Sequence, residues 1–490
     1  MDFDFNGLPK QDIDAINSML PKDHKKNFVF ENWSKTFTCA PKLYLAPHNE
    51  NQIIWIVNFA REHGLNLKAI GSKLSPSDIA CTDGIMITME NFKRVLHVDH
   101  VHSRITVEAG LTLHELHEIL TFWGLSFSSI GSVSEQTISG AISTAVHGTG
   151  INYGCFSSIV KDLCIIDGLG RRHYCSSVAN KDLFDAARCS LGALGIITQL
   201  TLQCEPSFRL KAVQVPKKLD DILDNLSSTL ASAEHVRFWW FPYTDDTVLW
   251  KANRTIEPKN PLKESFLTDK LYGFHYYQFQ LFLSRMAPNR IPAITKEHYK
   301  NRFNKKIEWV DDSHKVFNFD CLFPQYVDEW AIPIENTAPV LRYLRKWINE
   351  EHAKKDGVRV HFPVEVRFVQ EDDVWLSPCY KQAICYIGVI MYRPYHLPVP
   401  YKKYWKAYED IVRSFGGRPH WAKAHQMYYD DFAEQIPKFG EFQALRNACD
   451  PNNIFLNDYL KRHIVPPGIA NSKAISAKAD TLTSYQISKL

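Results

Sequence analysis

Residues 131–150 constrain this chain more than any other stretch: Gly-Ser-Val-Ser-Glu-Gln-Thr-Ile-Ser-Gly-Ala-Ile-Ser-Thr-Ala-Val-His-Gly-Thr-Gly. They concentrate glycine and small hydroxyl residues, with almost no charge. Small residues let a backbone come close to a ligand, and its N–H groups can then surround a pyrophosphate. Gly131, Gly140, Gly148 and Gly150 allow that approach, while Ser132, Ser134, Ser143 and Thr149 add hydroxyl donors. The competing reading is a tight loop with close strand packing. The segment is no GxGxxG opening a helix after a strand, so a Rossmann site is disfavoured. No GK[ST] follows, so it is no phosphate loop of the Walker type.

A second loop shares the composition: Gly71, Ser72, Lys73, Leu74, Ser75 and Pro76, continuing to Asp78. Alone it reads as a surface turn. Two such loops in one region of alternating strands and helices make dinucleotide binding the better reading. Around them, Ile53, Ile54, Val57 and Ala60 recur at helical spacing, stopped by Gly64. Residues 67–70, 85–89 and 105–107 read as strands. Thr112 and Glu115 have capping-box spacing and open a helix that Gly124 closes. His114 and His117 on that helix are expected to be solvated or at the rim and not metal ligands, since no third ligand is near in sequence. No metal site is expected.

At 490 residues the chain exceeds one compact core. The expected division is an N-terminal segment 1–35, a cofactor domain 36–206, a substrate (cap) domain 207–463 and a flexible tail 464–490. In the cap, Leu219, Ile222, Leu223, Leu226 and Leu230 form one helical stripe, and Leu341, Leu344, Trp347 and Ile348 another. Residues 235–243, 248–251, 358–369 and 384–392 read as strands, giving a mixed or antiparallel sheet, while 252–310 resists assignment. The net charge of +3 gives no case for nucleic acid. The eleven cysteines show no zinc spacing and read as free thiols. No apolar run is long enough for a transmembrane segment, and the aromatic stretch 272–283 reads as a buried helix. Ser488-Lys489-Leu490 matches the address read by the peroxisomal import receptor, so a peroxisome- or glycosome-type organelle is expected, and otherwise the cytosol.

From about Asn32 to Leu460 the chain resembles the aldonolactone oxidoreductases of the vanillyl-alcohol-oxidase flavoproteins. That family includes D-arabinono-1,4-lactone and L-gulonolactone oxidases and plant galactonolactone dehydrogenases. The matching segments are Asn32-Trp33-Ser34, 71–78, 131–150, 190–197, Glu365-Val366-Arg367, 419–423 and 450–457. Each is weak alone, and their order is specific. The resemblance implies an α+β fold: an FAD domain of two α+β subdomains beneath a substrate domain. It implies oxidation of a sugar γ-lactone at its C2 hydroxyl, with hydride passing to the flavin, in a route to ascorbate or its five-carbon analogue. His147, Ile197 and His420 join the cofactor contacts on the same ground.

Two positions refine the expectation. Relatives often carry a flavin-bonded histidine where this chain has Leu74, which has no nucleophile. Non-covalent flavin is therefore implied, FAD by family and FMN as the alternative. Lys73, where glycine is usual, would offset phosphate or flavin charge or face solvent. Gly131 stands where the plant dehydrogenases carry alanine; its open space favours O2 as acceptor and hydrogen peroxide as product, unless glycine merely supplies a backbone angle. Glu365 and Arg367, two apart in a strand, share one face. The resemblance places them by the flavin, Glu365 to orient or deprotonate the C2 hydroxyl and Arg367 to stabilise negative charge, with Lys423 assisting. The alternatives are a dehydrogenase using cytochrome c or a quinone, an alditol or hydroxy-acid oxidase, and a non-catalytic flavin-binding protein.

Overall fold

The computed structural model describes residues 8–21, 28–262, 273–319 and 324–468. Ser488-Lys489-Leu490 and Cys321 lie outside them. The fold is α+β, built on three principal sheets.

The first is a parallel sheet of β1 (Leu43–Leu45), β2 (Leu67–Ile70) and β3 (Ile85–Thr88), ordered β1-β3-β2. Helix α1 (Glu50–Glu62) connects β1 to β2 and buries Ile53, Ile56, Val57 and Ala60. Asn49 caps it by accepting the Gln52 amide at 3.0 Å. The second sheet is antiparallel: β4 (Val95–Asp99), β5 (Arg104–Glu108), β6 (Val160–Ile166), β7 (Arg172–Ser176) and β8 (Ile196–Gln203), ordered β7-β6-β8-β5-β4. Helices α2 (Leu113–Phe122) and α3 (Ile138–Ser143) lie between β5 and β6, and the expected capping box at Thr112 and Glu115 opens α2.

His117 departs from expectation. It is buried on α2, one turn beyond Leu113 and three residues before Leu120, which places it on the apolar face. Its ring stacks on His314 at 5.1 Å, and burial pulls its pKa down to about 3. His114 points outward as expected.

The third sheet has eight strands, all paired antiparallel: β9 (Arg209–Lys218), β10 (His235–Trp240), β11 (Asp246–Thr255), β12 (Ile307–Asp312), β13 (Gln325–Pro333), β14 (Val364–Val369), β15 (Ile384–Tyr392) and β16 (Arg418–Pro419). Their order is β12-β9-β11-β10-β14-β15-β13-β16. The stripe expected as one helix is two, α4 (Leu219–Asp224) and α5 (Leu226–Leu230), broken at Asn225. Strand β14 starts six residues later than expected. Arg359 turns back onto the carbonyls of Glu351, Lys354 and Gly357, holding the preceding residues out of the sheet. Strand β10 stops at Trp240, because Pro242 offers no amide and Tyr243 has φ 65°. The unassigned stretch contains α6 (Tyr277–Leu283) and α7 (Ile291–Arg302). Helix α6 buries Tyr277, Gln278 and Leu281 against the core, the buried helix expected there, and turns Phe279, 47% exposed, outward. Helix α8 (Thr337–Ala353) carries Leu341, Leu344 and Ile348 inward as expected.

The ten described cysteines are free, and no helix among the described residues is long and apolar enough to cross a membrane.

Candidate active site

A cavity of about 970 Å³ runs between the two small-residue loops and the eight-stranded sheet. The first loop leaves β2 at Ile70, and Gly71 through Pro76 line the cavity. The amides of Ser72, Lys73, Leu74 and Ser75 donate to no group among the described residues. Four unspent amides on one cavity wall form an anion cradle. The loop is held from behind: Trp33 donates its amide to the Lys73 carbonyl at 2.8 Å, and the Asn32 side chain donates to the Ser75 carbonyl at 3.0 Å. Lys73 takes φ 62°, and its ammonium sits 5.2 Å from the Phe28 ring centroid. This aromatic seat holds a cation on the cavity wall.

The second loop closes on the first. A Cβ on Gly71 would lie 2.0 Å from Thr137 Oγ1, so glycine is required for that approach. Thr137 Oγ1 is buried without a protein partner, and it lines the cavity. Gly131, Ser132, Gly140, Ser143 and His147 also line it, as do Ile197 and His420. These features fit a diphosphate-bearing cofactor: unspent amides, an orphaned hydroxyl and a backbone approach that a methyl group would block.

Four expected cofactor residues lie elsewhere. Ser134 turns away, its carbonyl accepting the His114 amide at 2.7 Å. Gly148 packs against Ser129 and Ile130, where an added Cβ would lie 2.3 Å from Ser129 Oγ, while Thr149 and Gly150 fasten the loop to the large sheet. Thr149 Oγ1 donates to the Val236 carbonyl and accepts the Phe368 amide, and the Gly150 amide donates to the Phe368 carbonyl at 2.7 Å. Here the competing reading, close strand packing, holds.

Sheet register assembles the opposite wall. Glu365 pairs with Trp239 on β10 and with Gly388 on β15, and Gly388 pairs with Glu329 on β13. Paired residues share a face, so two carboxylates flank a residue without a side chain. Arg367, two further along β14, donates to Glu365 Oε1 and to Ser132 Oγ, both at 2.7 Å. Lys423 Nζ is 3.6 Å from Glu329 Oε2, and His147 Nε2 is 3.3 Å from Glu329 Oε1. Burial pushes the Glu329 carboxyl upward, but Lys423 and His147 outweigh it and hold it well below its ordinary value. The His147 ring stacks on Tyr386 at 3.5 Å. Burial holds the His420 pKa near 3. His147, Glu329 and His420 also have their ligand atoms within 4.8 Å of one another, although Lys423 already supplies positive charge there.

Sequence reasoning placed Glu365, Arg367 and Lys423 at this cavity but missed Glu329 and Arg237. The available signal was weak: Glu329 follows Asp328 in the strand-like run Gln325–Pro333, and Arg237 stands in the largely apolar run His235–Trp240.

The geometry combines a carboxylate–guanidinium pair with a second, lysine-paired carboxylate. The set faces a dinucleotide-sized cavity and can polarise a hydroxyl group.

A family model described as D-arabinono-1,4-lactone oxidase matches residues 200–463, and one described as FAD binding domain matches 41–176. L-gulonolactone oxidase of Scyliorhinus torazame is 41% identical over 89% of this chain and 98% of its own length. The D-arabinono-1,4-lactone oxidase of Candida glabrata is 30% identical over 88% and 95%. Among solved structures, cholesterol oxidase from B. sterolicum matches with a TM-score of 0.75 at 16% identity, covering 91% of this chain and 99% of that one. The latter likeness carries the fold of the vanillyl-alcohol-oxidase type.

Proposed function

Because the chain belongs to the D-arabinono-1,4-lactone oxidase family, we propose that it is an FAD-dependent aldonolactone oxidase acting at the C2 hydroxyl of a sugar γ-lactone. The observation that carries this reading is the Glu365–Arg367 pair, held at 2.7 Å on the sheet face over the two-loop cavity. The amides of Ser72, Lys73, Leu74 and Ser75 with Thr137 would hold FAD, which would supply a two-electron acceptor for the C2 hydride. Glu365 accepts the C2 hydroxyl proton, and Arg367 steadies negative charge on the substrate oxygen. Lys423, tied to Glu329, adds positive charge at the other end of the same row. Gly388 leaves room between the carboxylates for the lactone ring.

Leu74 lines the cavity and has no nucleophile, which supports flavin held without a covalent bond. O2 is the acceptor and hydrogen peroxide the product. The Ser488-Lys489-Leu490 address fits a peroxisome- or glycosome-type compartment, where peroxide is handled. A substrate panel tests the reading. Peroxide should form with D-arabinono-, L-galactono- or L-gulono-1,4-lactone and not with open-chain alditols or hydroxy acids. The reverse preference would replace the lactone by a polyol or acid.

Gly131 supports oxygen as acceptor. Its φ lies outside the left-handed region, so no backbone angle demands glycine. An added Cβ would meet the His147 carbonyl and Val146 Cγ1 at 3.3 Å, a fit needing only a small shift. Gly131→Ala is expected to keep its flavin while reduced enzyme reacts with O2 at least about 10-fold more slowly, a barrier change near 1.4 kcal/mol. Stopped-flow reoxidation measures this, and an unchanged oxygen rate would remove Gly131 from the account.

A further inference from the structure

Arg237 is unexplained by the proton and hydride chemistry. It lies on β10 directly opposite Arg367 on β14. Like charges directly opposite in a sheet destabilise it, and this pair is buried. Both guanidinium groups donate to the same Ser132 hydroxyl oxygen, Arg237 Nη1 at 3.2 Å and Arg367 Nη2 at 2.7 Å. Glu365 is bonded to Arg367, and among the described residues no carboxylate is ion-paired with Arg237. Arg237 is packed among the rings of Trp250, Trp239 and Phe319, with its centre 4.3, 4.9 and 5.0 Å from their centroids. Its Nε is buried without a partner, and the residue lines the cavity. Arg237 therefore brings to the cavity wall a positive charge with no ion pair among the described residues and an unused donor, inside an aromatic cage.

A γ-lactone is neutral and gives that charge nothing to pair with. Its oxidation does. Loss of two electrons and two protons from the C2 carbinol, the electrons passing to the flavin, leaves a 2-keto lactone. A proton then moves from C3 to the C2 oxygen, giving a 2,3-enediol. The C3 hydroxyl of that enediol is conjugated through the double bond to the ring carbonyl, and it ionises to solvent as an acid does. We propose that Arg237, beside Arg367, is a recognition residue for the anionic enediolate product, so that the pocket distinguishes product from substrate by charge. Interactions that grow as negative charge develops favour the forward step, and they hold the product afterwards. The inference rests on the proposed lactone oxidation.

Oxidised holoenzyme is titrated at pH 7 with ascorbate, a stable enediolate lactone, and with 2-deoxy-D-ribono-1,4-lactone, which is neutral and lacks the C2 hydroxyl. The flavin absorbance change gives both affinities. The Arg237→Met variant should lose about 10- to 100-fold in ascorbate affinity, the range of a charge-assisted hydrogen bond. Its affinity for the deoxylactone should change less than about 3-fold, and Arg237→Lys should recover part of the loss. Affinity of the flavin for sulfite reports charge beside the ring, and it should stay unchanged. Equal losses for both lactones, no loss for ascorbate, or a weakened sulfite adduct with ascorbate binding intact would each overturn the inference. Wild-type enzyme in the same preparation is assayed with D-arabinono-, L-galactono- and L-gulono-1,4-lactone. Failure to oxidise any of them would contradict the proposed function itself, a result separable from the variants' binding.

Discussion

Glu365→Gln is expected to lower kcat by about 10²- to 10⁴-fold, the usual contribution of a positioned general base. The amide keeps the size of the side chain but cannot take the C2 proton. Arg367 would still find an oxygen acceptor in the amide, and it keeps its bond to Ser132 Oγ. The sheet register holding Glu365 between Trp239 and Gly388 is made by backbone bonds, so the fold should survive. Flavin content should match wild type, and KM should change far less than kcat, because the loss falls on the transition state. Single-turnover flavin reduction under anaerobic conditions measures the step. A variant reducing its flavin at the wild-type rate would remove Glu365 from the chemistry.

The second large effect is on the cofactor. Gly71→Val is expected to yield a folded protein without flavin. The first Cβ atom alone would meet Thr137 Oγ1 at 2.0 Å and Thr137 Cβ at 3.1 Å, and two more methyl groups follow. The loops must part, and the four cradle amides lose their common direction. Thermal unfolding should remain cooperative, since the first loop contributes little to the main core. Acid precipitation reads the outcome. Wild-type protein should release its FAD into a yellow supernatant, while the variant should give a colourless supernatant and a colourless pellet. Full flavin retention in the variant would move the cradle elsewhere.

The sequence carried the α+β class, the two loops and the Glu-x-Arg face, because each is local: a composition, a cap or a period of two. What it could not carry was register. Glu329 and Arg237 come to the site from strands more than ninety residues apart, and only the pairings of β10, β14, β15 and β13 bring them beside Glu365 and Arg367. The same limit explains the reversal at 149–150. Glycine and threonine suit a ligand cradle and a tight backbone crossing equally well, and only the bonds to Val236 and Phe368 decide between them. His117 was misplaced because its polarity outweighed its position on the apolar stripe of α2.

The central claim is a lactone-reducible flavin that O2 reoxidises. The most direct measurement is the visible spectrum of the purified protein mixed anaerobically with D-arabinono-, L-galactono- or L-gulono-1,4-lactone and then exposed to air. Lactone is expected to bleach the flavin band, air to restore it, and about one hydrogen peroxide to form per lactone oxidised, as the two-electron chemistry through the flavin requires. A flavin band that none of the three lactones bleaches would contradict the account. A bleached band that air leaves unchanged while cytochrome c restores it would contradict oxygen as the acceptor.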